Sequence, residues 1–356
     1  MGDVTTSTAP PEGVDLERLR RFFADHVVGA TDQRPLTAEL IAGGRSNLTY
    51  GMSDGEHEWV LRRPPLGHVL PTAHDMGREY RVLRGLADTD VPVPRVFAFC
   101  DDEEVNGAPF YVMERVDGQI LRTADDIARL TAAEAAACSR ELVDVLARIH
   151  SVDYEAVGLG DFGHPEGFLE RQVRRWGQQW ERSKAADLPA LDELARRLRN
   201  ALPESGPPSI VHGDYRLDNT MLAPGDPTRI VAVLDWEMAT LGDPLADVGL
   251  LLLYWAQNDA QVIATGEGIS TDAGFLSRDE VVARYAEQSG RNVDQLDWYV
   301  VFAGYKLAII VEGIAARYRM GKTLGEGFEA MGDMVARLVD AALAQASESS
   351  IPALRG

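Results

Sequence analysis

The chain has 356 residues, 45% of them apolar, and its 35 basic against 56 acidic side chains give a formal charge of −21. That acidity excludes general affinity for nucleic acid or anionic membrane, whose phosphates it would repel, and leaves small-molecule partners. The length suffices for two lobes around large cores, and two cysteines (Cys100, Cys138) with no export signal in MGDVTTSTAPPEG make a reducing, cytoplasmic setting the expectation.

Leu16, Leu19, Phe22, Phe23 and Val27 recur at helical spacing and predict a short amphipathic helix. Three β-favouring pieces follow at 39–42, 49–53 and 59–63, separated by Gly-Gly and Asp-Gly, which reads as an antiparallel meander. A helix over 73–87 and two further strands, in VPVPRVFAFC and PFYVMERV, complete this half; the prolines mark a strand entrance. Residues 116–118 are the expected hinge, because short strands give way there to long helices. The chain divides accordingly into a tail and helix (1–35), a first lobe (36–116) and a second lobe (117–356).

Thr131 and Glu134 form a capping-box pair ahead of a helix over 135–150. More helices are predicted over 167–184, 188–201, 279–288, 296–318 and 326–344. The apolar segment within 298–310 is interrupted by Lys306 and is a core helix rather than a membrane span. One β island interrupts the helices: strands over 220–223 and 230–234 joined by the polar turn PGDPTR.

Two nucleotide-like signatures fail on context. Gly321-Lys322-Thr323 ends like a phosphate-binding loop, but Ala316 stands where the first glycine is required and a helix precedes it. GLGDFG (158–163) fits G-x-G-x-x-G but follows a helix, not a buried strand.

HGDYRLDNTML is different. His212, Asp214 and Asn219 keep the H-x-D-x-x-x-x-N spacing of a kinase catalytic loop and lead into the predicted hairpin, at whose far end stands Asp235 in VAVLDWE. Phosphoryl transfer needs one carboxylate near the attacking hydroxyl and oxygen ligands for Mg²⁺. A hairpin can bring Asn219 and Asp235 to one such ion.

Together HGDYRLDNTML, VAVLDWEMATLGDPLAD, AGGRSNLTY, WVLRRPP and YVMERVDG resemble the aminoglycoside phosphotransferase, or choline-kinase-like, family of the protein-kinase-like fold, from about residue 36 to 339. Within it they look like the branch related to the phosphotransferase domain that accompanies acyl-CoA dehydrogenases. The resemblance implies an α+β, two-lobe architecture with a small antiparallel-sheet N-lobe and a larger, mainly helical C-lobe. It also implies ATP and Mg²⁺ as cofactors and transfer of the γ-phosphate to a hydroxyl of a small molecule.

By that resemblance Asp214 is the catalytic base and Arg216 neutralises the transferred phosphate. Asn219 and Asp235 hold the metal, with Glu237 near enough to join through water. Gly43, Gly44, Arg45, Ser46 and Asn47 form a nucleotide-covering loop, and the backbone around Glu114 and Val116 faces adenine. Arg62 stands where most kinase-like proteins carry a phosphate-gripping lysine, with Glu79 as its partner; a guanidinium also grips phosphate, with different geometry. His212 is expected to organise the loop through backbone carbonyls, and Asp243 and Asp247 to hold that loop from below.

Aminoglycosides are polycations and call for an acceptor site rich in carboxylates. The region expected to build it, YVVFAGYKLAIIVEGIAARYRM, is mostly apolar with Glu312 as its main acid, which favours a less cationic, metabolic acceptor over an antibiotic. In FLERQVRRWGQQWERSK, Phe168, Val173, Trp176 and Trp180 share one helix face. Arg171, Arg174, Arg175 and Arg182 make either a solvated face or an anion-binding rim. A nucleotide-binding module that has lost turnover is the alternative to an enzyme.

Overall fold

The computed structural model describes residues 10–42, 47–66, 75–256, 269–320 and 331–356. Helix α1 (Leu16–His26) leads into strands β1 (Thr37–Ala42), β2 (Leu48–Ser53) and β3 (Glu58–Arg63), then α2 (Met76–Leu86), β4 (Val96–Cys100), the single-turn α3 (Glu103–Asn106) and β5 (Phe110–Glu114). The strands form one antiparallel sheet in the order β1-β2-β3-β5-β4. Alternation sorts its side chains to two faces. Tyr50, Met52, Trp59, Leu61, Phe110 and Val112 pack with Leu19, Phe23 and Val27 of α1. Each such side chain, fully buried, contributes about 1.5–3 kcal/mol before ordering entropy, so α1 is part of this sheet's core. On the other face Val60, Tyr111 and Met113 join α2 in the large core that runs on into the helical lobe.

After β5 the chain crosses to that lobe through Gln119, whose backbone exchanges two 2.8 Å hydrogen bonds with Leu222. Gly118 makes the crossing possible, since a Cβ there would stand 2.6 Å from the Leu222 carbonyl oxygen. The lobe contains α4 (Ala124–Ile127), α5 (Ala132–Ser151), α6 (Phe168–Ser183), α7 (Pro189–Asn200), β6 (Ser209–Val211), β7 (Thr220–Ala223), β8 (Asp226–Val233), β9 (Thr240–Gly242) and α8 (Leu245–Leu253). It continues through β10 (Trp255–Ala256), β11 (Ile269–Ser270), α9 (Arg278–Ser289), α10 (Leu296–Arg319), α11 (Met331–Glu348) and α12 (Pro352–Arg355). Among the described residues α10 alone is long and apolar enough to cross a membrane, and 72% of its apolar window is buried inside the protein.

The predicted capping box is present: the Thr131 hydroxyl accepts from the Glu134 N–H, and the Glu134 carboxylate accepts from the Thr131 N–H. Two details depart from the sequence reading. The hairpin turn is the two-residue Pro224-Gly225, not six residues, because Gly225 takes a left-handed conformation (φ 70°) and lets β8 begin at Asp226. The β island is also larger, since β6 and β9 pair antiparallel; three-residue strands are too short to show a period. Residues 158–163 connect helices. The Arg78 guanidinium donates to Phe162 O at 2.8 Å and lies 4.1 Å from that ring's centre, tying α2 to the helical lobe. Gly321-Lys322-Thr323 lies outside the described residues.

Candidate active site

The β6–β9 pair and the β7–β8 hairpin fix two loops side by side. Residues 212–219 leave β6, and residues 234–239 join β8 to β9. Asp247, at the start of α8, accepts from the His212 N–H at 2.7 Å and the Gly213 N–H at 2.8 Å. The His212 ring contacts Leu234 O through Nε2 at 2.9 Å, joining the two loops and performing the organising role expected of it. Gly213 sits at φ 86° with a Cβ position only 2.8 Å from Met238, so a side chain fits neither the conformation nor the space. Tyr215 reaches back into the core, its hydroxyl donating to Leu142 O at 2.8 Å. Asp214 is left at the mouth. Asn219 Nδ2 donates to its carbonyl oxygen at 2.8 Å and to Oδ2 at 3.0 Å. Burial raises the Asp214 pKa above the usual carboxylate range, against the pull of Arg216, His212, Lys306 and Asn219.

Asp243 departs from its expected role. It accepts from Leu245 N–H at 3.0 Å and from the Tyr299 hydroxyl at 2.7 Å, so it fixes the entry to α8 against α10 rather than the 212–219 loop. Asp247 is backed by His150, whose Nε2 lies 3.3 Å from Oδ2 and whose Nδ1 lies 2.8 Å from the Tyr285 hydroxyl. Burial holds the His150 imidazole below its ordinary 6.5, while Asp247, supported by His150 and two backbone N–H groups, stays low. The sign follows: below about 6.5 the unfolded chain takes up a proton that folded His150 refuses, so acid favours unfolding. In urea titrations His150→Gln is expected to flatten the fall in stability between about pH 6.5 and 5 relative to the unaltered protein. Identical pH slopes would show that His150 is not the group responsible.

The second loop carries the acids. Asp235 is the only non-glycine residue with positive φ (63°) among the described residues, a conformation that costs roughly 1 kcal/mol or more and concentrates at functional sites. Its Oδ1 lies 2.6 Å from Arg62 Nη2, and Arg62 Nε lies 2.8 Å from Glu79 Oε2. One guanidinium from β3 thus spans the α2 glutamate and the acid beyond the hairpin. Glu79, 1% exposed, also accepts from the Tyr111 hydroxyl at 2.9 Å and from Asn47 Nδ2 at 2.7 Å; the same Asn47 nitrogen reaches Glu237 at 3.2 Å. Carboxylate oxygens of Glu79, Asp235 and Glu237 lie within 4.8 Å of one another. Burial first, then the negative charges of Asp235 and Glu79, push Glu237 up to about 7.

The structure therefore brings together Arg62, Glu79, Asn47 and Asp235 on one side and Asp214, Asn219 and Arg216 on the other. The halves meet where Leu234 N–H donates to Asn219 O at 2.8 Å. Arg216 pairs with Asp218 at 2.7 Å and lies 3.8 Å from Asp214. Glu114 ends β5 exposed, and Val116 is half-buried in the crossing. Gly43, Gly44, Arg45 and Ser46 lie outside the described residues.

Two residues carry more than the sequence reading gave them. Glu237 is a full member of the acidic cluster. Lys306, read only as a break in an apolar run, donates from α10 to Gly213 O at 3.1 Å, with its ammonium 5.7 Å from the centre of the Trp176 ring. Burial lowers the Lys306 pKa, Asp214 and Asp247 oppose this, and Arg175 adds to it. A lone lysine in the apolar run 298–310 was the available signal.

A model of the phosphotransferase enzyme family matches residues 37–299. The chain belongs to that family. It is 35% identical over 333 residues to the rat protein acyl-CoA dehydrogenase family member 11, covering 91% of this chain and 42% of that one. It is 32% identical over 371 residues to the Arabidopsis thaliana protein described as probable acyl-CoA dehydrogenase IBR3, covering 98% and 45%. The chain thus spans less than half the length of these curated relatives. Among solved structures, a Ralstonia eutropha protein provisionally assigned as an aminoglycoside phosphotransferase shares 33% identity, with 94% of this chain and 99% of that one covered and a TM-score of 0.82. Choline kinase from Cryptosporidium parvum, at 12% identity, 96% and 99% coverage and a TM-score of 0.67, shares the fold. The family fold is the two-lobe, kinase-like one, with an antiparallel sheet in the N-lobe and helices through the rest.

Proposed function

We propose that this phosphotransferase uses ATP and Mg²⁺ to phosphorylate a hydroxyl of a small metabolic molecule. The observation that carries the reading is Arg62 spanning Glu79 and Asp235 beside a loop that presents Asp214. The arginine thereby joins the sheet that would cover a nucleotide to the acid beyond the hairpin. Asp214 is placed to orient the acceptor hydroxyl and take its proton, and burial tunes it towards that task. Arg62 would grip phosphate oxygens, for which its fork suits it, while Glu79 holds it in place.

The donor set fits a hard divalent cation: carboxylate oxygens of Asp235 and Glu237 converge, and Asn219 stands next to them across the hairpin. Asp235, Glu237 and Asn219 would hold the ion, since Glu79 is committed to Arg62 and Tyr111. Bound there, Mg²⁺ would neutralise charge on the nucleotide phosphates.

On the acceptor side Lys306 of α10 donates to the loop carrying Asp214, Arg175 is close enough to act on it, and Arg216, paired with Asp218, stands 3.8 Å from Asp214. A polycationic aminoglycoside would meet like charge there, whereas a hydroxylated acid or acyl compound would not. The acyl-CoA dehydrogenase relatives agree with the second class. ADP release should be followed with ATP and Mg²⁺ against hydroxyacyl compounds and aminoglycosides side by side. We expect turnover above the basal rate with a hydroxyacyl compound; stimulation by aminoglycosides alone would reverse the assignment.

A further inference from the structure

Asp214 follows a glycine, and a glycine leaves the peptide group after it free to turn. With no Cβ and φ 86°, Gly213 sets little steric resistance to rotation of the Gly213–Asp214 peptide, and such a rotation re-aims the Asp214 side chain. Asp247 does not prevent it. The N–H groups it accepts from, those of His212 and Gly213, belong to the two peptide groups before this one.

The Gly213–Asp214 peptide has contacts of its own at both ends. Its N–H, that of Asp214, donates to His212 Nδ1 at 3.3 Å, and its carbonyl oxygen, that of Gly213, accepts from Lys306 Nζ at 3.1 Å. His212 belongs to the same loop. Lys306 comes from α10, 93 positions along the chain, so its hydrogen bond ties this peptide to the helical lobe. The platform is firm: Tyr305, Ala308 and Ile309 beside Lys306 in α10 are each 0% exposed. On the α6 side the ammonium lies 5.7 Å from the centre of the Trp176 ring, within reach of cation–π attraction. Packing alone would not ask for a lysine in this apolar run, because a methionine fills a similar volume with no charge to desolvate. What lysine adds is the donor.

We infer that Lys306 is a positioning residue for phosphoryl transfer: by holding the Gly213 carbonyl oxygen from α10 it fixes the plane of the Gly213–Asp214 peptide, and with it the direction in which the Asp214 carboxylate faces the acceptor hydroxyl. The inference rests on the role proposed above for Asp214. Misplacing a reacting group by about 1 Å can cost about 10²-fold in rate, so one hydrogen bond in the support of Asp214 is enough to matter. The nucleotide side should not feel it, since Arg62, Asn47 and Glu79 reach the site from the N-lobe.

The test compares the full chain with its Lys306→Met and Lys306→Arg variants. Methionine keeps the bulk and removes the donor; arginine keeps a donor. With ATP, Mg²⁺ and the acceptor found in the panel, or water in its place, Lys306→Met is expected to lower kcat about 10- to 100-fold, as loss of a hydrogen bond to a charged group does, with ATP affinity and the urea midpoint nearly unchanged. Lys306→Arg should recover part of that loss. A readout that needs no turnover is hydrogen exchange at the Asp214 amide, which should quicken about 10-fold or more in Lys306→Met and slow again in Lys306→Arg, while amides of β7 and β8 exchange as before. Four results each overturn the inference: unchanged kcat in Lys306→Met, unchanged Asp214 exchange, no recovery with arginine, or a fall in kcat that merely follows a lower urea midpoint and weaker ATP binding. Failure of the phosphotransferase reading shows in the unaltered protein, as ATP that is never consumed, and failure of this inference shows only in the variants.

Discussion

Asp214→Asn is expected to lower ATP turnover by about two to four decades while leaving nucleotide affinity within a small factor. The reason is local. The replacement keeps the size of the side chain and its place beside Asn219, whose amide now meets Oδ2 at 3.0 Å and the carbonyl oxygen at 2.8 Å. It removes the property that the proposed role asks of that position, the capacity to accept a proton. Burial, by raising the Asp214 pKa, makes it a stronger base than an exposed aspartate. Single-turnover ATP consumption, with the acceptor found in the panel or with water, measures the effect. Unchanged turnover would leave Asp214 a loop-forming residue and the chain a nucleotide-binding module.

The other large effect is at Arg62. Arg62→Ala leaves Glu79, almost fully buried, and Asp235 facing each other without the cation between them. Breaking a buried pair from one side costs about 3–5 kcal/mol, visible as a lower urea midpoint. Nucleotide affinity should fall in the same variant by an order of magnitude or more, since a hydrogen-bonded charge contact is worth about 1.5–3 kcal/mol. Adding Glu79→Gln separates the two consequences: neutralising the stranded acid should recover part of the stability and none of the affinity. Arg62→Lys is the finer probe. A single ammonium has no rigid fork to span two carboxylates, so it should retain stability better than alanine while altering nucleotide binding. If Arg62→Ala keeps both its urea midpoint and its ATP titration curve, the bridge is a surface ornament and the nucleotide assignment loses its anchor.

Much of this site was written in local spacing. His212, Asp214 and Asn219 lie within eight residues, and a hairpin follows at once, so chain geometry alone fixes that they share a loop and that Asp235 returns near them. Arg62 and Glu79 were paired by the family resemblance, and the structure adds that Asp235 closes on the same guanidinium. Asp243 and Asp247 looked equivalent in GDPLAD, yet Asp247 holds the 212–219 loop and Asp243 accepts from Tyr299, because Asp243 stands ahead of the α8 N-cap while Asp247 lies in the helix's first turn.

The sequence by itself determined the order of the N-lobe strands and of the longer helices, the loop that bears Asp214 and the acid beyond the hairpin. These depend on periodicity, turn chemistry and separations of a few residues. Only tertiary structure decided that Lys306 reaches Gly213 from 93 positions away and that the Glu237 pKa is pushed up to about 7. Those properties arise from burial and from charges brought close by packing, and distance across a fold is not encoded in distance along a chain.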